Sequence, residues 1–298
     1  MSGASTTTVA AAVLLALAHA AASAHGHGSW QQTGEAKVPY GWFGFSPQGV
    51  AVVGEDGAPA TGVIFSGKHL LRRTSLPVPA TGSEMAYATE VENRKPIPPE
   101  LAVEGYEHIG DVAAAFDTLY APIEKQATYT APVIAFYDPN SLDYVGHYTT
   151  AQHHCPWVAV DAAHGILFSS EYSNVSSLYA YAVGNGTPHT LRPLGAVPLA
   201  GLPRSQWPDG IQEAQGGVVV ARGNNTLLIM SSSASLQPVF TFDISGVASG
   251  GAAQLVAAQA TGVGGEPEGV SFLDGHLLAV VHTRSLLSNV ILQYGSGP

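Results

Sequence analysis

The sequence contains few charged residues and a single cysteine. Asp, Glu, Lys and Arg together make up 11% of the 298 residues, and Cys155 is the only cysteine. One cysteine cannot form an internal disulfide, so this chain is not a disulfide scaffold and needs a large apolar core. The 11 Lys and Arg residues are outnumbered by 22 Asp and Glu residues, which gives a formal net charge of −11. This acidic balance argues against nucleic acid or an anionic membrane as partner, because both repel a negative surface.

The remaining composition is typical of strands joined by turns. Apolar residues make up 46% of the chain, which excludes a disordered protein, and the 34 glycines and 20 prolines disfavour a helical one. After removal of a leader, residues 25–298 are enough for one all-β domain.

The amino-terminal apolar run is too short to span a bilayer comfortably. It extends from Val9 to Leu17 and is followed by Ala22-Ser23-Ala24, which has the small-x-small form of a signal peptidase site. Residues 1–24 are therefore predicted to be a signal peptide, and the protein is expected to be secreted and free of the membrane once it is removed. No Lys or Arg precedes the run, and a membrane anchor is the alternative interpretation.

Three Asn-x-Ser/Thr sequons support export and predict a glycoprotein. They begin at Asn174, Asn185 and Asn224, and each falls in a predicted turn or loop where a glycan would be tolerated.

Five short β-type runs begin at a valine, and their spacing indicates a repeat. The runs are Val50-Ala51-Val52, Val112-Ala113-Ala114, Val158-Ala159-Val160, Val218-Val219-Val220 and Val270-Ser271-Phe272. Repeats of roughly 40 to 50 residues with several strands each are typical of β-propeller blades. The sequence therefore predicts a single five-bladed β-propeller, with the innermost strands around one axis.

Each run is followed by a turn and further strand patterns, except that the last repeat lacks a fourth strand. Residues 29–38, which precede the first repeat, are predicted to supply it and so to close the ring. Six blades remain an alternative, because the poorly patterned stretch from Glu84 to Pro99 could conceal a strand. A β-sandwich with a long crossover is the other alternative.

Polar side chains cluster where the innermost strands begin and where the second strands end. The first group comprises Gln48, His108, Asp111, His153, His154, Trp157, Gln215, Glu266 and Glu268, and the second comprises Glu124, Glu171 and His282. Carboxylates around an axis offer the oxygen ligands that Ca²⁺ prefers, and a histidine beside them could act as a general base. In the alternative interpretation these groups bond free backbone amides at the channel mouth. Cys155 is predicted to be a buried apolar residue, with an activated thiol as the alternative.

Two segments resemble a known superfamily. Glu266-Pro267-Glu268-Gly269-Val270 and Asp161-Ala162-Ala163-His164-Gly165-Ile166-Leu167-Phe168 are similar to blade openings and hairpins of the SMP-30/gluconolactonase and paraoxonase-like propellers, and more distantly of streptogramin lyase and YncE-type propellers. This resemblance implies a calcium-dependent hydrolase of small esters or lactones. It implies Asp111, Glu124, Glu171 and Glu268 as Ca²⁺ ligands, and His108 and His154 as general bases.

Two functions are therefore carried forward. One is a secreted, divalent-cation-dependent hydrolase acting on a small-molecule substrate in the central funnel. The other is a non-catalytic binding propeller that recognises an extracellular glycan or protein. The fold alone does not decide between them, because propellers host both.

Overall fold

The computed structural model describes residues 30–38, 47–54, 60–75, 89–184, 190–261, 265–273, 275–283 and 289–296. The predicted signal peptide, residues 1–24, lies outside the described residues. Within these ranges the chain forms strands β1 to β21, one short helix, α1 (Pro99–Val103), and a 3-10 turn (Val247–Ser249). Among the same residues, no helix has the length and hydropathy needed to cross a membrane.

The strands form five antiparallel sheets, called blades I to V here. Blade I holds β2 (Pro47–Val53), β3 (Gly62–Gly67), β4 (Leu70–Thr74) and β5 (Thr89–Asn93). Blade II holds β6 (His108–Ile109) and β7 (Ala113–Ala115), then β8 (Thr118–Glu124), β9 (Val133–Tyr137) and β10 (Tyr144–Thr149). Blade III holds β11 (Ala159–Asp161), β12 (Ile166–Ser169), β13 (Ser177–Val183) and β14 (Leu191–Ala200).

Blade IV holds β15 (Ala214–Arg222), β16 (Asn225–Ser232), β17 (Pro238–Asp243) and β18 (Ala253–Ala260). Blade V holds β19 (Gly265–Leu273), β20 (His276–Thr283), β21 (Asn289–Ser296) and β1 (Trp30–Val38). Blades III and IV are also joined at their outer strands, where β14 and β18 pair in parallel over two residues.

The innermost strands contact one another in a closed cycle, β2 to β7 to β11 to β15 to β19 and back to β2. This arrangement is a five-bladed β-propeller, and each blade has one of the five valine runs in or beside its innermost strand. The prediction from the repeat is thus confirmed. The described part of the stretch from Glu84 to Pro99 forms β5 and the start of α1, not a sixth sheet.

The ring closes through the amino-terminal strand, as predicted. Strand β1 pairs antiparallel with β21 along its length and becomes the outermost strand of blade V. Gln259, in the outer strand of blade IV, accepts a hydrogen bond from the Trp30 backbone N–H at 2.6 Å and donates one to the Trp30 carbonyl. The strand therefore stabilises both the sheet that it completes and the contact with the preceding blade.

Apolar side chains from neighbouring blades form the core. Because both faces of each sheet are covered, a strand such as β9 is buried at every position. One cluster lies between blades I and II and includes Leu71 and Leu119, while another lies between blades III and IV and includes Phe168 and Phe240. These interfaces replace the disulfides that the chain lacks.

Candidate functional site

The innermost strands all run in the same direction along the axis, so its two ends differ in chemistry. The end where these strands begin carries the polar side chains, and we call it the polar mouth. It comprises Gln48, His108, Glu124, His154, Glu171, Tyr172, Gln215, Glu266 and Glu268. The end where they finish opens into a cavity of about 750 Å³ lined mainly by alanine and valine, which we call the apolar funnel.

Asp111 lies between the two ends and joins all five blades. Its Oδ1 accepts hydrogen bonds from the backbone N–H groups of Val50 and Val112, both at 3.0 Å, and its Oδ2 accepts from Gly217 and Val270, both at 3.1 Å. Its backbone carbonyl accepts from the Val158 N–H at 3.3 Å. One residue therefore receives a backbone N–H from each of the five blades.

This position explains the burial and the electrostatics of Asp111. The side chain is fully buried, and that burial raises its pKa well above the usual range, although the four N–H donors oppose the rise. Innermost strands have an unpaired edge that faces the axis, and buried backbone amides need acceptors. The Asp111 carboxyl supplies them for four blades at once.

Similar β-bulges place polar side chains above Asp111 in three blades. The register shifts at Gln48 in blade I, at Gln215 in blade IV and at Glu268 in blade V. In each case the next residue is a glycine, and a Cβ at Gly49 or Gly269 would lie 2.6 or 2.5 Å from Asp111 Oδ1. A bulge changes the direction in which a side chain points, so each of these polar residues is turned toward the mouth. The glycine that follows it has no Cβ and therefore leaves room for the Asp111 side chain.

Three of the predicted site residues meet at the boundary of blades I, II and III. Glu124 Oε2 lies 3.7 Å from His108 Nδ1, and Glu124 Oε1 lies 3.4 Å from His154 Nδ1. Glu124 also accepts the backbone N–H of Cys155, and His108 Nε2 contacts the amide oxygen of Gln48. Burial opposes ionisation of Glu124, but the two imidazoles and the Cys155 N–H outweigh it and lower its pKa to about 2.

Glu171 caps the loop that carries His154. Its carboxylate accepts the backbone N–H groups of His153 and His154, at 3.1 and 2.7 Å, and the hydroxyl of Tyr179 at 3.0 Å. Its oxygens therefore hold a loop in place.

Two aromatic residues that sequence reasoning missed lie against His154. The ring of Tyr129 is centred 4.0 Å from the imidazole, and that of Tyr172 is 5.7 Å away. Tyr129 has a positive φ of 48°, in a turn with no repeat pattern to mark it. Tyr172 directly follows the predicted residue Glu171, and this position next to a predicted site residue was the one feature of the sequence that could have identified it.

Glu268 differs from the other predicted carboxylates. It is 8% exposed, and no hydrogen bond reaches its carboxyl from the part of the chain that the structure describes. Burial raises its pKa to about 8, and the nearby carboxyls of Glu266 and Asp111 add to the rise. Tyr172 lies within electrostatic range of Glu266, Glu268 and Glu213.

The four predicted Ca²⁺ ligands do not form a common site. Asp111, Glu124 and Glu171 already accept backbone N–H groups in three different places, and Glu268 lies beside Asp111 in blade V. Within the described ranges, no group of three or more His, Cys, Asp or Glu side chains is arranged to hold a metal ion. Calcium binding by these residues stays a prediction.

Cys155 is the buried apolar residue that the sequence favours. It is fully buried, its Sγ lies 3.1 Å from Ser169 Oγ, and burial raises the pKa of the thiol. A raised thiol pKa disfavours the reactive thiolate.

No protein-family model and no curated protein matches this chain. Solved structures with some likeness include the β-propeller domain of Cps50 (Swd1) from Myceliophteria thermophila, with a TM-score of 0.43 and 10% identity over 79% of this chain and 66% of that one. The nidogen/laminin complex gives a TM-score of 0.42 and 15% identity over 73% and 69% of the two chains. The Dos1 propeller gives 0.39 and 11% over 84% and 68%. The propeller assignment rests on the closed cycle of blades described above, and membership of the gluconolactonase superfamily stays a prediction.

Proposed function

We propose that this protein is a secreted binding propeller whose polar mouth receives a Lys or Arg side chain of an extracellular protein. The observation that carries the proposal is the buried Glu268 carboxyl, to which no described residue donates a hydrogen bond. The Glu268 oxygens are not among the fully buried, unpartnered side-chain atoms of the described residues, so they remain open to the mouth. A ligand that brings a hydrogen-bond donor can therefore reach them there.

The surroundings of Glu268 favour a cation as that donor. Glu213, Glu266 and Glu268 all lie within electrostatic range of Tyr172, so this part of the mouth is strongly acidic. An ammonium or guanidinium group is attracted both to carboxylates and to the face of a tyrosine ring. The net charge of −11 adds long-range attraction for a basic partner.

A protein partner fits the mouth better than a glycan. The aromatic faces that could stack on a sugar ring are those of Tyr129 and Tyr172, and His154 lies against one face of each. What remains unsatisfied in the mouth is a carboxyl, which a basic side chain complements directly.

Secretion is supported by the leader pattern and by two of the sequons. Asn174 and Asn224 are both exposed, while Asn185 lies outside the described residues. Intact-mass measurement of protein secreted by eukaryotic cells, before and after treatment with an amide-cleaving glycosidase, checks glycosylation, and amino-terminal sequencing checks cleavage after residue 24.

The calcium-dependent hydrolase stays a prediction that rests on the resemblance. Three of its four proposed ligands have structural partners, so we derive no catalytic step from them.

The blocked tripeptide acetyl-Gly-Lys-Gly-amide and its norleucine counterpart are titrated by NMR chemical shift at about pH 9, where Glu268, with a pKa of about 8, is ionised and lysine still carries its charge. Wild type should bind the lysine peptide saturably, more weakly as salt rises, and the norleucine peptide should not bind. Glu268→Gln keeps the shape but removes the acid, and should weaken binding at least about tenfold, equivalent to about 1.4 kcal/mol.

The matched control is Asp143→Asn, which removes one exposed acid from the turn between β9 and β10, at the other end of blade II. It should bind the lysine peptide as wild type does. Equal binding of the two peptides, or unchanged binding by Glu268→Gln, would contradict the proposal.

A further inference from the structure

The apolar funnel is a second concave site, and it is independent of the polar mouth. It lies beyond Asp111, and all five blades contribute to its wall: residues 51–52, 112–115, 159–163, 217–221 and 270–273. These segments belong to innermost strands and their turns, so the ring itself forms the cavity. Its volume of about 750 Å³ falls within the range of small-molecule sites.

The side chains of the wall are mostly small. Among the described lining residues only Asp161 is charged, and most are alanine or valine. The carboxylate of Asp161 is engaged by His164, whose Nδ1 lies 2.8 Å away and whose backbone N–H lies 3.3 Å away. Within the described wall no other charged side chain is available, so an ion would be desolvated in the funnel without compensation.

The wall nevertheless offers backbone hydrogen-bonding groups. Along an edge strand the N–H and C=O groups of alternate residues face away from the paired strand. Val50 and Val270 face the axis at Asp111, and two residues further on the Val52 N–H donates to Ser271 Oγ at 3.2 Å. The same alternation directs the backbone groups of Ala114, Val219 and Phe272 toward the cavity.

We propose that the apolar funnel binds a small, uncharged, mostly apolar molecule that carries a hydrogen-bonding group such as a carbonyl or hydroxyl. Small apolar side chains provide the burial, and fixed backbone groups orient the polar group, which is the usual make-up of a small-molecule site. The Asp111 junction separates this ligand from the polar mouth, so binding at the two ends is independent.

The experiment uses N-phenyl-1-naphthylamine, a neutral apolar dye whose fluorescence rises when it leaves water. Wild type should bind one dye per chain saturably, and the anionic dye 8-anilinonaphthalene-1-sulfonate should bind at least tenfold more weakly. Absence of saturable binding, or equal affinity for both dyes, would overturn the proposal.

Two filling variants locate the site. Ala221→Trp and Ala163→Trp both place a large side chain at exposed positions of the cavity wall, so each is expected to fold. Each should weaken dye binding at least tenfold, whereas Ala196→Trp, at an exposed position of the outer strand β14, should not.

Sedimentation velocity of the same samples tests whether a second copy of the chain occupies the funnel instead of a small molecule. We expect a monomer in every case. A wild-type dimer that Ala221→Trp dissociates would show that a second copy fills the funnel, and would overturn the small-molecule assignment, as would dye binding that ignores both filling variants.

Discussion

At the residue scale, the acidic side chains of the axis divide into two roles. Asp111, Glu124 and Glu171 accept backbone N–H groups, so they neutralise unpaired strand edges and loops. Glu268 is also largely buried, at 8% exposure, but has no such donor among the described residues. The same residue type therefore stabilises the fold at three positions and costs stability at the fourth, which is typical of a site kept for binding.

The raised pKa of Glu268 predicts a pH-dependent stability. Folding raises this pKa from 4.5 to about 8, so between these values the folded protein holds a proton that the unfolded chain releases. The associated stability is complete below about pH 4.5 and is lost as pH rises through about 8. Glu268→Gln lacks this loss and should exceed wild type by on the order of a few kcal/mol above pH 8. Urea unfolding of both proteins at several pH values measures the difference, and parallel profiles would refute the assignment.

At the element scale, the glycines that follow the bulged residues are required by the approach to Asp111. A Cβ on Gly269 would lie 2.5 Å from both Asp111 Oδ1 and the Gly49 Cα. Gly269→Ala should therefore lose about 1–3 kcal/mol through overpacking. The control is Gly146→Ala in β10, where the nearest atom to the new Cβ lies 3.9 Å away. Chemical denaturation measures the free energy of unfolding of both variants. An equal loss of stability in the two would show that the backbone around Asp111 is not tightly packed.

Strand β1 is the element whose loss should open the ring. Deletion of residues 30–38 exposes the edge of β21 and removes the packing of Trp30 on the apolar cluster of blades IV and V. We expect a loss on the order of several kcal/mol and a greater tendency to associate through the free edge. Deletion of residues 25–29 alone is the control. A melting temperature unaffected by the longer deletion would contradict closure by β1.

At the scale of the whole molecule, the sequence predicts the blades better than the axis. Val50, Val112 and Val270 mark innermost strands because local apolar runs between turns carry that signal. The role of Asp111 has no local signal, since its donors Val50, Gly217 and Val270 lie 61, 106 and 159 residues away along the chain.

The candidate site was predictable to a similar, partial degree. Matched positions in the blades predicted that polar residues would gather around the axis; the structure places His108 and His154 within 4 Å of Glu124. The N–H groups that a carboxylate accepts depend on how separate blades pack against each other. The sequence therefore does not distinguish carboxylates that share a metal ion from carboxylates that each accept backbone N–H groups.

The two ends of the ring differ in chemistry. The innermost strands present polar side chains at one end and small apolar ones at the other, with the Asp111 junction between them. Because both ends are built on strands of one closed ring, the fold itself fixes their geometry.

The Asp111 carboxyl holds four blades together by accepting their backbone N–H groups, and this role needs no metal ion. Differential scanning calorimetry of wild type and Asp111→Ala, each with calcium and with a chelator, tests it most directly. Leaving four buried N–H groups without their acceptor should cost at least about 4 kcal/mol, so the variant should melt far below wild type in both conditions, and neither protein should respond to calcium. A wild-type melting temperature that calcium raises and chelator lowers, with that response abolished in Asp111→Ala, would contradict the account.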